Sequence, residues 1–215
     1  MASHLDVVAL CSGGYTAAER DHRTSWIESN KAAETQFIRG YRMIPELIQQ
    51  IQALMAADPD HPCLRTLEIK AHGGPTSMDS IWSCTISDEA NQLKALRWCD
   101  EAHIYLAGCN TGLKRAQSDP GQWHGPLAKD LADAMAFDPG SFAVHLTVHG
   151  TKGYAWGGHL SGAAGCRPDH SETTFNGPSW DWPWNWFTTV HSETYEGAVS
   201  ASGADVWQSF KNGSW

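Results

Sequence analysis

The sequence predicts an α/β protein with a mainly parallel central sheet covered by helices on both faces, a three-layer α/β/α sandwich. Three observations carry this reading. Short runs rich in Val, Ile, Leu and Tyr (5–11, 64–71, 103–108 and 142–150) alternate with helix-patterned segments, and that order implies parallel strands joined by right-handed crossovers. Each run ends in glycine-bearing punctuation: SGG, HGG, CNTG or HGTKG. At 215 residues, 41% hydrophobic and 18% charged, the chain has the size and balance to bury one core rather than two small ones.

The first strand, LDVVALC (5–11), is short, apolar and stopped by SGG, as a central strand should be. Residues 16–43 are polar with scattered apolar positions, and no element is assigned there. In IPELIQQIQALMAA (44–57), Ile44, Leu47, Ile48, Ile51, Leu54 and Met55 recur at helical spacing, with Pro45 suited to the first turn. LRTLEIKA (64–71) is the second strand. DEANQLKALRWCDEA (88–102), with Leu93, Leu96 and Trp98, reads as a shorter helix, and HIYLAG (103–108) as the third strand. PLAKDLADAMAF (126–137) places Leu127, Leu131 and Met135 on one helical face, and FAVHLTVHG (142–150) is the fourth strand. After about residue 157 Gly, Ser and Trp dominate; SWDWPWNWF holds four tryptophans in nine residues, and ADVWQSF suggests one turn. The expected organisation is a single domain over 1–215, its core at about 5–156 and a Trp-rich extension at about 157–215.

Composition excludes several functions. A net charge of −9 without a basic run argues against nucleic acid as the main partner. No window approaches the roughly 18 apolar residues of a membrane helix, and LDVVALC is short, contains Asp6 and lacks a positive flank. Neither span nor signal peptide is read, so cytoplasm is the expected location. The six cysteines (11, 63, 84, 99, 109 and 166) form no CxxC pair, so reduced thiols are expected rather than a zinc ribbon or a disulfide framework. HLTVH (145–149) would set two imidazoles on one strand face, but no helical HxxxH accompanies it. Neither metal nor organic cofactor is implied.

In open parallel sheets, ligands gather outside the carboxyl ends of the strands, so the four punctuating loops should converge. Two of them present reactive side chains, His72 and Cys109. A thiol attacks a carbonyl well when a base takes its proton, and adjacent strands lie about 4.8 Å apart, close enough for two strand-end residues to meet across a bound peptide. Gly73 lets backbone approach a carbonyl, and its N–H together with that of Cys109 could hold an oxyanion. His149, which also follows a strand and precedes a glycine, is the rival base or a pocket residue.

LEIKAHGG and IYLAGC together resemble the caspase-like (clan CD) cysteine peptidases, which place His-Gly after one hydrophobic strand and a small residue plus the nucleophilic Cys after the next. AGCNTG is also similar to the Cys motif of bacterial caspase-like and CHAT-type domains. The resemblance covers roughly residues 5–156. It implies His72 as the catalytic histidine, Cys109 as the nucleophile and Gly73 with Cys109 as the oxyanion site. The caspase signature itself is absent, since Gly108 precedes Cys109 and Asn110 follows it. In this group the specificity pocket is lined from loops after the first, third and fourth strands, which points at SGGY, NTGLKR and HGTKGYAWGG, and so at Thr151, Lys152, Tyr154 and Trp156. Lys152 in the pocket would favour an acidic residue, Asp79 or Asp119 a basic one, and a wall of Tyr154 and Trp156 a large apolar one.

The expectation is a cysteine endopeptidase acting on a protein or peptide substrate through an acyl-enzyme, without cofactor. The alternative is an inactive caspase-like module that holds a regulatory protein partner with its pocket and Trp-rich tail. The tryptophan run reads either as a sugar- or peptide-binding platform or as a lid or oligomer interface.

Overall fold

A computed structural model describes residues 4–60, 62–114, 125–136, 145–162, 164–167 and 198–212. The chain runs through β1 (His4–Cys11), α1 (Ala17–Asn30), β2 (Gln36–Tyr41), α2 (Ile44–Ala57) and β3 (Cys63–Lys70). A hairpin of β4 (Ser77–Met78) and β5 (Ile81–Trp82) leads to α3 (Ile86–Lys94), β6 (Trp98–Ala107), α4 (Leu127–Ala134) and β7 (His145–Thr151). Then come β8 (Tyr154–Trp156), β9 (Gly165–Arg167), β10 (Ala201–Ser202), a 3₁₀ turn (Gly203–Val206) and β11 (Trp207–Lys211). The Trp-rich run and Asp119 lie outside the described residues.

The protein is mixed α/β with a mostly parallel central sheet and four helices among the described residues. Six strands lie in the order β11-β7-β6-β3-β1-β2, and only β11 runs antiparallel to its neighbour. Period-2 alternation divides the sheet into two faces. Val7 and Ala9, Leu67 and Ile69, Ile104 and Leu106, and Leu146 and Val148 face one main core with the apolar stripes of α2, α3 and α4. The alternate residues Val8 and Leu10 meet Ile27 of α1 and Tyr15. At about 25 cal/mol per Å² of apolar area, each such buried Leu or Ile contributes on the order of 2 kcal/mol.

Two elements sit where no element was read, for a shared reason. Helix α1 buries only Ile27, so it carries no apolar stripe; a capping box defines it instead, with Thr16 and Glu19 each accepting from the other's backbone N–H at 3.3 and 2.8 Å. Strand β2 is a sheet edge that buries only Ile38 and Tyr41. The helix expected over 88–102 ends at Lys94. Trp98 instead begins β6 opposite Leu64 and ties back to α3 by Nε1–H donating to the Leu93 carbonyl at 2.9 Å, sheet pairing overriding a helix-like apolar spacing. ADVWQSF forms the 3₁₀ turn and an edge strand paired with β7 from Trp207↔Thr151 to Lys211↔Thr147.

The expectation of reduced thiols is corrected at one pair: Cys63 and Cys99 form a disulfide, their Cα atoms 5.0 Å apart. They start β3 and β6, neighbours in the sheet, so tertiary proximity brings together cysteines that sequence spacing leaves unrelated. A bond of this kind persists in oxidising compartments, which runs against the cytoplasmic expectation. No helix among the described residues is long and apolar enough to cross a membrane.

Candidate active site

Strands β3 and β6 pair in parallel, with Lys70 opposite Ala107. His72 and Cys109 each lie two residues past that last pair, at the same end of neighbouring strands. The chains remain in contact past the strand ends: a Cβ on Gly73 would lie 3.1 Å from the Gly108 Cα, and one on Gly108 would lie 3.2 Å from the Gly73 Cα. The two small residues let the His and Cys loops approach this closely.

The first loop is held by the hairpin that follows it. Asp79 accepts from the His72 backbone N–H through Oδ2 at 3.0 Å, and the Asp79 N–H donates to the His72 carbonyl at 3.2 Å. A bridge links Gly73 to Met78, flanked by that bond and by the Gly74 N–H to the Ser77 carbonyl. In this antiparallel pattern the Gly73 N–H and carbonyl point away from the hairpin. The His72 ring packs on Tyr15, ring centroids 4.3 Å apart, and the Arg23 guanidinium lies 4.4 Å over the other partner of that stack, the Tyr15 ring. Arg23 Nε is buried without a hydrogen-bond partner among the described residues.

The second loop is a turn from Gly108 to Gly112 nailed to β7 and α4. Asn110 sits in the left-handed region (φ 58°), which Asn tolerates better than most residues, and is buried. Its N–H donates to the Gly153 carbonyl at 2.8 Å, and the Gly112 N–H to that of Thr151 at 3.0 Å. The Thr111 hydroxyl donates to the Leu106 carbonyl at 2.8 Å and accepts the Thr151 N–H at 3.0 Å, while the Thr151 hydroxyl donates to the Gly108 carbonyl. The first turn of α4 joins both loops, with the Leu127 N–H donating to the Pro75 carbonyl at 2.8 Å and the Ala128 N–H to that of Thr111 at 3.0 Å.

Burial lowers the His72 imidazole pKa and Arg23 lowers it further, against the pull of Asp79 and Glu19. Burial raises the Cys109 thiol, and the Ala155 backbone N–H aimed at the sulfur and the Arg23 charge only partly offset this. At neutral pH the His72 imidazole is therefore uncharged and the Cys109 thiol protonated. That is the state in which a histidine removes a proton as the sulfur attacks, rather than a preformed ion pair.

Of the residues expected to line a pocket, Lys152, Tyr154 and Trp156 follow β7 beside the Cys109 turn, and Trp156 is exposed over Gly165. Thr151 is enclosed, its hydroxyl engaged with the Gly108 carbonyl, so it braces the turn. His149 lies opposite Tyr105, four residues before Cys109 along β6 and so roughly 13 Å down the strand. Its ring bonds His103 at 3.1 Å and Ser209 at 2.9 Å and stacks on Tyr105. Burial and the neighbouring imidazoles lower its pKa to about 4. Among the described residues no group of three or more His, Cys, Asp or Glu is placed to hold a metal.

Arg23 was not singled out from the sequence; Tyr15 and Thr111 entered only within the SGGY and NTGLKR pocket loops, and Asp79 only as a pocket residue. Tyr15 and Asp79 had a legible signal, since each follows a strand-end glycine loop within a few residues. Comparison with known proteins adds no identity: no family model, no curated protein and no solved structure matches the chain.

Proposed function

We propose that the protein is a cysteine endopeptidase of caspase-like, three-layer architecture, in which His72 takes the Cys109 proton as the sulfur attacks a peptide carbonyl. The observation that supports this reading is that β3 and β6 are parallel neighbours ending two residues before His72 and Cys109, with Gly73 and Gly108 in close approach. The tetrahedral oxyanion is held by the Gly73 and Cys109 N–H groups, the amine leaves with the proton from His72, and water then releases the acyl group from sulfur. Neither metal nor organic cofactor takes part. An acidic side chain in the substrate is the best electrostatic match, because Asp79 is engaged with the His72 backbone while Arg23 supplies positive charge felt by the sulfur.

Profiling cleavage of a peptide library tests the reading. Wild-type protein cleaves a defined subset, and Cys109→Ala and His72→Ala abolish it; cleavage that persists in Cys109→Ala refutes the proposal. Binding of a protein partner with equal affinity by wild type and Cys109→Ala, without cleavage by either, would favour an interaction module instead.

A further inference from the structure

Strand β3 carries a buried carboxylate and a buried ammonium at alternate positions, four and two residues before His72. Glu68 is 0% exposed and Lys70 4%. Their closest approach, Lys70 Nζ to Glu68 Oε1, is 3.7 Å, longer than a hydrogen bond. The short contacts of both go elsewhere, to one loop. Lys70 Nζ donates to the Gly157 carbonyl, Glu68 Oε2 accepts the Leu160 N–H, and Glu68 Oε1 accepts the Ser161 hydroxyl at 2.8 Å. A Cβ on Gly158 would fall 1.8 Å from Glu68 Oε1, so the loop is fitted to this carboxylate.

Burying two charges costs several kcal/mol per ion, and apolar residues of similar size usually serve stability as well or better. What the pair supplies is position. Every one of its short bonds ends within residues 157–161, the segment directly after β8, whose Tyr154 and Trp156 flank the site and whose Ala155 N–H points at the Cys109 sulfur. The ammonium also lies 5.4 Å from the Trp26 ring of α1. Burial lowers its pKa to about 8, with Glu68 opposing and Arg23 adding to the drop.

We propose that Glu68 and Lys70 are positioning residues that pin the 157–161 loop, and through it the β8 wall, so that they determine how tightly this site holds a peptide. The inference rests on the reading of Cys109 as a nucleophile with β8 beside its substrate. The strand that carries the pin ends at Lys70 and leads within two residues to His72.

The test is the double variant Glu68→Gln/Lys70→Met, which leaves no buried charge unpaired, compared with wild type and with the milder Ser161→Ala. In the double variant, KM for a cleaved peptide rises about five- to tenfold and kcat stays within about twofold, the effect of losing one or two ordinary hydrogen bonds. Exchange of the Leu160 amide accelerates by about tenfold, and Ser161→Ala moves both readouts the same way by a smaller factor. A folded double variant with unchanged Leu160 exchange and unchanged KM overturns the pin. Should the double variant not fold, unchanged Leu160 exchange in Ser161→Ala overturns it. Wild type without cleavage refutes the peptidase reading instead, and Leu160 exchange still decides for or against the pin.

Discussion

The hydroxyl of Thr151 offers the sharpest test of how the nucleophile turn is built. Thr111 lies within reach of two carbonyls, Leu106 at 2.8 Å and Gly108 at 3.3 Å, but a hydroxyl has one proton and the shorter bond takes it. The Gly108 carbonyl, adjacent to Cys109, therefore depends on Thr151. Thr151→Val keeps the shape of the side chain and leaves that buried acceptor without its donor, a cost of about 1–3 kcal/mol. For a chain of this size about 2 kcal/mol lowers Tm by about 4–8 °C. Thr151→Ser retains the hydroxyl and loses only a buried methyl, about 1 kcal/mol. Urea unfolding and calorimetry of the three proteins measure the difference. A loss below about 0.5 kcal/mol in Thr151→Val, the size of an ordinary surface change, would show that the turn does not rely on this bond.

Three further outcomes follow from the same geometry. Because burial lowers the His72 pKa and raises that of Cys109, the acid limb of kcat/KM falls below pH 6.5 and the alkaline limb above pH 9.0. Arg23→Gln moves the acid limb to higher pH, since it removes a charge that disfavours the imidazolium; an acid limb unmoved by this change counts against Arg23 acting on the site. A Cβ on Gly150 would sit 2.5 Å from the Gly112 nitrogen, so Gly150→Ala destabilises by about 1–3 kcal/mol, whereas Gly74→Ala, with nothing within 4 Å of its Cβ, stays near wild type in the same melting assay. Reduction of Cys63–Cys99, a bond spanning a sequence separation of 36, lowers unfolding free energy by up to about 4 kcal/mol on the chain-entropy account, measured by urea titration with and without reductant.

Much of the candidate site was legible because its signals are local. HGG and GCNTG each follow an apolar strand, and a parallel sheet sets such ends along one edge, where the pairing of β3 with β6 makes these two neighbours. The strands β1, β3, β6 and β7 and the helices α2 and α4 declared themselves through apolar periodicity. Elements without such a stripe did not: α1 is fixed by its cap and β2 by edge pairing. The neighbours of His72 and Cys109 were hidden for a different reason. Tyr15, Arg23 and Thr111 act through distances across the fold, to which no sequence interval corresponds. One signal was present and unread. LEIKAH alternates apolar with Glu68, Lys70 and His72, and a strand covered by apolar cores on both faces would not, so a buried polar face was already written in that stretch.

Reaction with a library of peptidyl acyloxymethyl ketones, followed by peptide mapping of the adduct, tests the dyad most directly. Exposed Cys84 serves as an internal competitor for the half-buried Cys109. The account requires a single adduct on Cys109, formed only with a subset of peptide sequences and slowed at least about 100-fold in His72→Ala, the scale of general-base assistance. Labelling that falls on Cys84, or that reaches Cys109 at the same rate without His72, contradicts it.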